Sequence, residues 1–503
     1  MLDKIKYFLK HSFVYGVSNA AVKASGIILL PIYTNYFTVE EFGRLGLILA
    51  IIAILVQVVI MGQNYSLLRF NNQIDYRDIQ KSVLFTISTL VIVVTIIFIF
   101  IGELLVPITA QMLGDLHNYY SSLRIAIYII AVSIVNNIFQ SKLRADEKSV
   151  FFTVLNLIKL VVLVIITVYL VASERIGING VLYGQLISEI FGFIIVMPFM
   201  IKQMEFKITK VIIPETLKFG IPLIVVGLSM TLLNMSDRFI IKFLASEESL
   251  GLYELGYRVA GILNMFLIMP VSLTFGPIAY KIYKQPGDKE YYGKILTYFT
   301  YILVWGALFL SVFAKEIIMV FSKSEAYIPA YHVVPVILFS YVFWGMSIIS
   351  SVGIYLKGKT VYSALVTIAA TILNVSLNFI LIPAYGIMGA AISTLIAFVF
   401  LYFLYLLVGN HYYKILHEKR KLIILFLVSG GLFLVCGLLN DMSLWAAGLL
   451  KLVITLVFPF LLAVFSFYNA AEVRVIKGFI KKWKNPTKWL DSIKKEGSDI
   501  FMK

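Results

Sequence analysis

The sequence predicts an all-α polytopic membrane protein with about 14 transmembrane helices. Hydrophobic residues make up 60% of the 503 positions and charged residues only 14%, whereas about 25% of the residues in soluble domains are charged. A segment of about 20 apolar residues spans a hydrocarbon core of roughly 30 Å, and runs of that length follow one another along the whole chain. Short motifs also recur at a near-constant separation, which indicates an internal repeat.

The apolar runs place the predicted spans, with ends accurate to a few residues. The first run follows Lys4, Lys6 and Lys10, but it is too long for a signal peptide and lacks a small-residue cleavage site. We therefore expect a retained first helix. In chain order, the predicted spans are 12–33, 45–62, 82–101, 123–139, 151–171, 180–200, 219–240, 252–275, 292–313, 329–350, 362–382, 386–408, 422–439 and 444–467.

The distribution of basic residues predicts the orientation. With a cytoplasmic N-terminus, about 32 of the 43 Lys and Arg residues lie inside, roughly six lie near outside loops and about five lie within spans, which agrees with the positive-inside rule. An even number of spans then places both termini in the cytoplasm. The net charge of +16 is mostly this topological signal, and we expect no nucleic acid partner.

Two features at the C-terminal end complete the composition. The tail after the last span, 471–503, interleaves Phe479, Trp483 and Trp489 with lysines, which predicts a basic amphipathic helix on the anionic cytoplasmic leaflet. A solvated tail is the alternative. Cys436 is the single cysteine and lies in an apolar run, so a disulfide or a multi-cysteine metal site is excluded and a packing role is expected. We expect no metal and no cofactor.

The repeat is visible at two pairs of helix starts. FTVEEFG (37–43) and FLASEESLG (243–251) each combine an aromatic helix end, paired glutamates and a glycine that leads into the next helix. The sixth and twelfth spans open with GING (177–180) and GIMG (386–389). Six spans per repeat give both copies the same orientation, and hence a twofold axis along the membrane normal. The predicted parts are an N-terminal lobe (1–210), a C-terminal lobe (211–412), two additional spans (413–470) and the tail (471–503).

Together the motifs resemble the polysaccharide biosynthesis flippases, which export O-antigen and teichoic-type glycans and belong to the multidrug/oligosaccharidyl-lipid/polysaccharide (MOP) exporter superfamily. The resemblance covers nearly the whole chain. It implies a MATE-like core of two six-helix lobes around a V-shaped cavity. It also implies that a polyprenyl-diphosphate-linked oligosaccharide moves across the bacterial cytoplasmic membrane for cell-surface polysaccharide biosynthesis. The motifs are FGIP (219–222), DRF (237–239), GLY (251–253), YR (257–258), EEFG (40–43), RF (69–70), AY (326–327), and Asn374, Asn378, Pro383, Gly386 and Gly389.

Basic residues within or beside the spans are the predicted binding site for the diphosphate. A charge at the bilayer centre costs at least about 2.5 kcal/mol, so such residues usually face a bundle interior or a wet cavity. Arg provides bidentate donors to phosphate oxygens, and Lys provides a compact charge. Lys159 has the alternative of snorkelling inward, and Arg69 and Lys281 have the alternative of anchoring helix ends. The predicted cavity cations are Lys23, Arg69, Lys159, Arg258 and Lys281.

Two carboxylates, Glu189 and Asp237, are expected either to bind a coupling ion, proton or sodium, or to form structural ion pairs. Whether Asp237 and Arg238 face the cavity or the outer rim stays open. We expect alternating access without ATP hydrolysis. Membrane lipids and glycan polymerase machinery are further expected partners.

Three other functions are alternatives to this one. A membrane glycosyltransferase needs an acidic metal or catalytic site, but the sequence contains no Asp-x-Asp and no large soluble loop, so we expect no enzyme. A cation-coupled multidrug exporter of the same fold favours acidic cavity residues, whereas the predicted cavity set is net basic. A lipid II-type flippase differs only in its glycan, and a fold does not distinguish glycans.

We expect Lys23→Ala to abolish transport without loss of membrane insertion. Lys23 lies roughly 16 Å from the start of the first span at 1.5 Å per residue, so it has no short route to the membrane surface. Complementation of a deletion strain measures the effect, and full complementation by folded Lys23→Ala protein contradicts the expectation.

Overall fold

The computed structural model describes residues 25–72, 79–438, 444–470 and 472–474. These residues form helices joined by short turns, and no strand occurs among them. The helices up to residue 201 are α1 (Leu30–Tyr36), α2 (Val39–Val59), α3 (Gln63–Asn72), α4 (Gln80–Met112), α5 (Leu116–Ala145), α6 (Ser149–Val168) and α7 (Ile178–Ile201). Those that follow are α8 (Ile212–Leu244), α9 (Glu247–Leu263), α10 (Met269–Ile282), α11 (Asp288–Val312), α12 (Ala314–Phe321), α13 (Val334–Ser350), α14 (Val352–Leu356), α15 (Thr360–Tyr412), α16 (Lys419–Gly437) and α17 (Leu444–Val464).

The described residues contain 11 helices that are long and apolar enough to cross a membrane. Two of them run through π-helical turns, so that α6 continues to Ser173 and α9 continues into α10. One is α15, whose 53 residues include Gly386 in a non-helical conformation, and it therefore contains the predicted eleventh and twelfth spans. The all-α polytopic class is confirmed. The count of fourteen stays a prediction, because most of the first span lies outside the described residues.

The paired-glutamate motifs are helix N-termini. Thr38 caps α2 by accepting a hydrogen bond from the amide of Glu41 at 3.2 Å, and the Glu41 side chain accepts one from the amide of Thr38 at 2.9 Å. Ser246 caps α9 by accepting from the amide of Ser249 at 3.0 Å. The glutamates of each first turn also interact favourably with the positive end of the helix dipole. The same local chemistry thus starts one helix in each repeat.

Two glycines at equivalent repeat positions adopt a backbone conformation that other residues avoid. Gly177, the residue before α7, has φ 71° and ψ −148°, and Gly386 within α15 has φ 55° and ψ −135°. Only glycine enters this region readily, because it has no Cβ. The GING and GIMG motifs therefore mark one turn that occurs twice in the fold.

Gly386→Ala is expected to destabilise the protein by about 1–3 kcal/mol through backbone strain alone. A Cβ at this position meets no heavy atom within 4 Å, so no steric clash contributes. The measurement is the melting temperature of the purified protein in detergent. Gly430→Ala is the matched control, since its Cβ also enters open space but on the regular helix α16. Equal melting temperatures for the two variants contradict the expectation.

The two repeats are in close contact where α2 and α9 begin, which the topology predicts to be the outer end. A Cβ on Gly43 lies 2.3 Å from the carbonyl oxygen of Glu247, and a Cβ on Gly251 lies 1.9 Å from that of Val39. The two helices therefore approach backbone to backbone, which small residues permit. Glu247 also forms ion pairs with Arg44, at 3.2 Å, and with Lys242.

The halves also touch at the opposite end of α2. A Cβ on Gly62 lies 2.3 Å from the carbonyl oxygen of Gly220, and the Ser66 hydroxyl donates to the carbonyl of Thr216 at 2.8 Å. The bundle is thus closed by α2 against α9 at one end and by the α2–α3 turn against α8 at the other. The space between these contacts holds the candidate site.

The two C-terminal helices pack on the second half of the chain. The indole N–H of Trp305 in α11 donates to the carbonyl of Thr455 in α17 at 2.9 Å, and buried Lys451 pairs with Glu316 at 2.7 Å. Cys436 is buried in α16. The predicted amphipathic tail lies outside the described residues apart from 472–474.

Candidate functional site

A cleft between the two halves contains two adjoining compartments. The larger has a volume of about 620 Å³ and the smaller about 400 Å³. Leu49, Asn156, Lys159, Gln185, Glu189 and Met235 line both compartments. The lining residues of α2 recur at helical spacing along one face. They are Gly46, Leu49, Ala50, Ile52, Ala53, Val56 and Gln57.

Lys159 points into this cleft and not toward the membrane surface. Its aliphatic stem crosses α7 at Gly192, where an added Cβ lies 2.6 Å from the lysine Cδ. Its ammonium Nζ ends 2.7 Å from Oε2 of Glu189, and the Asn136 amide donates to the same oxygen at 2.7 Å. This geometry favours the cavity interpretation of Lys159 over snorkelling.

A second charged group faces the smaller compartment from the other half of the protein. Glu254 in α9 accepts from Arg258 at 2.9 Å and pairs with Arg238 of α8 at 3.1 Å. The Arg258 guanidinium also lies over the rings of Tyr33 and Phe42, with 5.2 and 5.0 Å to their centroids. Arg258 therefore contacts aromatic residues of the first half of the chain, while its charge is paired with Glu254 of the second half.

Asp237 and Arg238 have different positions, although they are adjacent in sequence. Arg238 lines the smaller compartment, whereas Asp237 is 1% exposed and lines neither compartment. Asp237 pairs with Arg238 at 2.8 Å and accepts a hydrogen bond from the hydroxyl of Tyr253. The structural ion pair is therefore the better description of Asp237.

The described lining has one more cation than carboxylate, and every cation is paired. Lys159, Arg238 and Arg258 line the cleft with Glu189 and Glu254, and each cation is within 3.1 Å of a carboxylate oxygen. The third carboxylate, Asp237, pairs with Arg238 from outside the lining. Burial explains the pairing, because an ionised side chain away from water is stable only when it is paired and hydrogen-bonded.

The structure does not bring Arg69 and Lys281 to the cleft. Arg69 is exposed and lies over the ring of Phe219, 4.4 Å from its centroid. Lys281 is exposed in the last turn of α10. Neither residue lines the two compartments, so the anchoring interpretation fits them better. Lys23 lies outside the described residues.

Sequence reasoning missed one residue of the cleft, Glu254, and left the position of Arg238 open. Glu254 lies four positions before Arg258 on one helix, a spacing that places oppositely charged side chains side by side, and this signal was available. Asn136, Asn137 and Asn234 line the larger compartment and add amide groups to its wall.

Comparison with known families gives the identity of the chain at family level. The family model described as "Polysaccharide biosynthesis protein" matches residues 8–283, more than half of the sequence. The chain belongs to the polysaccharide biosynthesis protein family. The predicted family is therefore confirmed, and the match extends from the first predicted span through α10. A comparison with curated proteins found no match.

Solved structures confirm the MATE-like fold of this family member. A lipid II flippase MurJ in an inward closed conformation has a TM-score of 0.74 at 16% identity, covering 89% of this chain and 98% of its own. An inward-facing multidrug resistance MATE family transporter of the MOP superfamily has a TM-score of 0.63 at 14% identity, covering 77% and 94%. A MOP superfamily transporter from Pyrococcus furiosus has 0.62 at 15% identity, covering 81% and 95%. The protein is a multi-pass membrane protein of this transporter fold.

Proposed function

We propose that this protein is a flippase for a polyprenyl-diphosphate-linked oligosaccharide in the bacterial cytoplasmic membrane, with both termini in the cytoplasm. The observation that carries the proposal is the cleft between the halves, in which Lys159, Arg238 and Arg258 converge within a membrane-embedded helical bundle. Charged side chains at membrane depth mark substrate pathways. The polysaccharide biosynthesis family supports a glycan as cargo.

The paired charges suit reversible binding of an anion. A diphosphate that enters the cleft takes over the hydrogen bonds that Lys159 gives to Glu189 and that Arg258 gives to Glu254. Each cation thereby exchanges one anionic partner for another and is never left unpaired. Loss of one partner from a buried ion pair costs about 3–5 kcal/mol. The exchange keeps net affinity moderate, so the substrate can leave on the other side.

The same exchange gives Glu189 a role in ion coupling. Once the diphosphate holds Lys159, the Glu189 carboxylate no longer has its cationic partner and is free to bind a coupling ion. We propose proton uptake at Glu189 during substrate binding, with sodium as the alternative ion. Asp237 remains paired with Arg238 in this scheme.

Alternating access uses the contacts between the two repeats. The close approach of α2 and α9 closes one end of the cleft, and separation of those helices opens it. The predicted lobes, 1–210 and 211–412, are the moving bodies in this proposal.

The two carboxylates of the cleft favour a second candidate, a cation-coupled multidrug exporter. Glu189 and Glu254 are partners for an organic cation if their own cations move away. This candidate predicts that loss of the protein lowers resistance to cationic dyes and leaves the lipid-linked intermediates unchanged.

Deletion of the gene followed by analysis of polyprenyl-linked intermediates tests the proposal. We expect one polyprenyl-diphosphate glycan to accumulate in the inner leaflet, and its mass identifies the sugar and separates a lipid II-type cargo from a capsule or teichoic-type cargo. If no intermediate accumulates and sensitivity to cationic dyes increases, the exporter proposal replaces the flippase proposal.

A further inference from the structure

A third cavity lies in the second half of the protein, between α8, α10 and α13–α15. Its volume is about 400 Å³, within the range of roughly 300–1,000 Å³ typical of ligand pockets. No charged side chain lines it among the described residues. Its walls are instead aromatic and hydroxylic, and they include Trp344, Tyr280, Tyr355, Tyr405 and Ser347. This composition differs from that of the charged cleft between the halves.

The aromatic walls are held in place by their own neighbours. The Tyr405 hydroxyl lies 2.8 Å from the hydroxyl of Ser363 and 3.1 Å from that of Thr367. Trp344 stacks on Phe398 with 6.1 Å between ring centroids and 29° between planes. The Tyr280 hydroxyl donates to the carbonyl of Tyr355 at 3.0 Å. Preformed walls of this kind reduce the entropy that a ligand loses on binding.

Polar groups that face the cavity indicate a hydroxylated ligand and not a hydrocarbon chain. The hydroxyls of Ser272, Ser347 and Ser351 line the cavity. Each donates to a backbone carbonyl and keeps lone pairs that can accept a hydrogen bond. An acyl chain offers these oxygens no donor. Sugar hydroxyls donate to such oxygens, and the C–H faces of a sugar ring pack against aromatic rings.

The cavity is connected to the diphosphate cleft by one side chain. Met230 of α8 lines both this cavity and the larger compartment. Methionine is unbranched and flexible, so it adapts to a ligand that passes beside it. Tyr280 and Tyr355 lie toward the ends of α10 and α14 that the topology predicts to be cytoplasmic. The cavity therefore adjoins the cleft and lies toward the predicted cytoplasmic end of the bundle.

We propose that this cavity is the binding site for the uncharged sugars of the cargo, while the diphosphate of the same molecule occupies the cleft. The inference rests on the proposed flippase function and assigns the diphosphate and the sugars to different parts of the protein. The first half and α8–α9 hold the charge, and the aromatic cavity of the second half holds the sugars next to the diphosphate. The absence of charge from the described lining excludes the diphosphate from this space.

Gly276 provides the test, because it lines the cavity and a Cβ on it meets nothing within 4 Å. Gly276→Leu fills the space, and Gly276→Ala is the control with the same Cβ before Pro277. Calorimetric titration of the full-length protein in detergent uses farnesyl diphosphate and farnesyl-diphospho-N-acetylglucosamine. We expect the sugar to tighten binding by about tenfold in the wild type and in Gly276→Ala. We expect Gly276→Leu to lose this gain while it binds farnesyl diphosphate as the wild type does.

The contrary results separate the inference from the function on which it rests. If the wild type binds both probes with equal affinity, or if Gly276→Leu keeps the gain from the sugar, the aromatic cavity is not the sugar site and the flippase proposal stands. If Gly276→Leu instead displaces a spin-labelled phospholipid and leaves sugar binding unchanged, the occupant is an acyl chain. If the wild type binds neither probe, the flippase proposal fails and the sugar site fails with it.

Discussion

Lys159→Met lowers transport of the lipid-linked glycan by at least about 100-fold, since it removes a charge-assisted contact to the diphosphate. The single variant also loses stability, because Glu189 is left without its partner at 2.7 Å, a loss of about 3 kcal/mol for a buried pair. The double variant Lys159→Met/Glu189→Gln removes both charges and recovers that stability. We expect it to stay inactive.

Two measurements distinguish binding from structural roles in this series. Translocation in proteoliposomes reports function, and the melting temperature in detergent reports stability. Lys142→Met/Asp146→Asn is the control, since this pair has the same 2.7 Å separation but lines neither compartment, and it should retain transport. Recovery of transport in the Lys159/Glu189 double variant means that the pair only supports the fold.

Gly251→Leu is expected to hold the α2–α9 end open and to reduce transport to the background level. The first atom of the new side chain overlaps the carbonyl oxygen of Val39, at 1.9 Å from it, so the two helices can no longer close. Separated helices have room for the leucine, and we therefore expect a folded but trapped protein. Gly261→Leu on the same helix is the control, because a Cβ there enters open space.

A cross-link reports closure of that end directly. Arg44→Cys and Glu247→Cys, combined with Cys436→Ser, place two thiols at residues whose side chains form an ion pair. A bifunctional thiol reagent should join them in the otherwise unchanged protein and in Gly261→Leu, and fail to do so in Gly251→Leu. Efficient cross-linking and normal transport by Gly251→Leu show that closure does not depend on this contact.

The features that depend on local sequence were predictable. The FTVEEFG and FLASEESLG turns contain the caps of α2 and α9, and the GING and GIMG motifs contain the glycines with positive φ. Lys159 and Arg258 were identified because a charge in an apolar run requires a polar environment. The same argument identified Glu189, and the structure places it beside Lys159. The lobe boundaries and the number of spans stay predictions.

The features that depend on tertiary pairing were not predictable. The ion pair of Glu254 with Arg238 and the hydrogen bond from Tyr253 to Asp237 join different helices. Arg69 and Lys281 lie at helix ends, where a binding cation and a topological cation have the same sequence pattern. The aromatic cavity has no sequence signal at all, because its residues come from five separate helices and resemble ordinary packing residues.

The most direct test of the central account is translocation by the purified protein. A short isoprenyl diphosphate that carries a fluorescent sugar is incorporated into proteoliposomes, and dithionite quenching reports its movement between leaflets. We predict that the wild type accelerates this movement, that Lys159→Met/Glu189→Gln does not, and that an uncharged isoprenyl glycoside is not moved. Equal rates in protein-free liposomes and proteoliposomes, or equal movement of the uncharged glycoside, contradict a flippase that recognises the diphosphate.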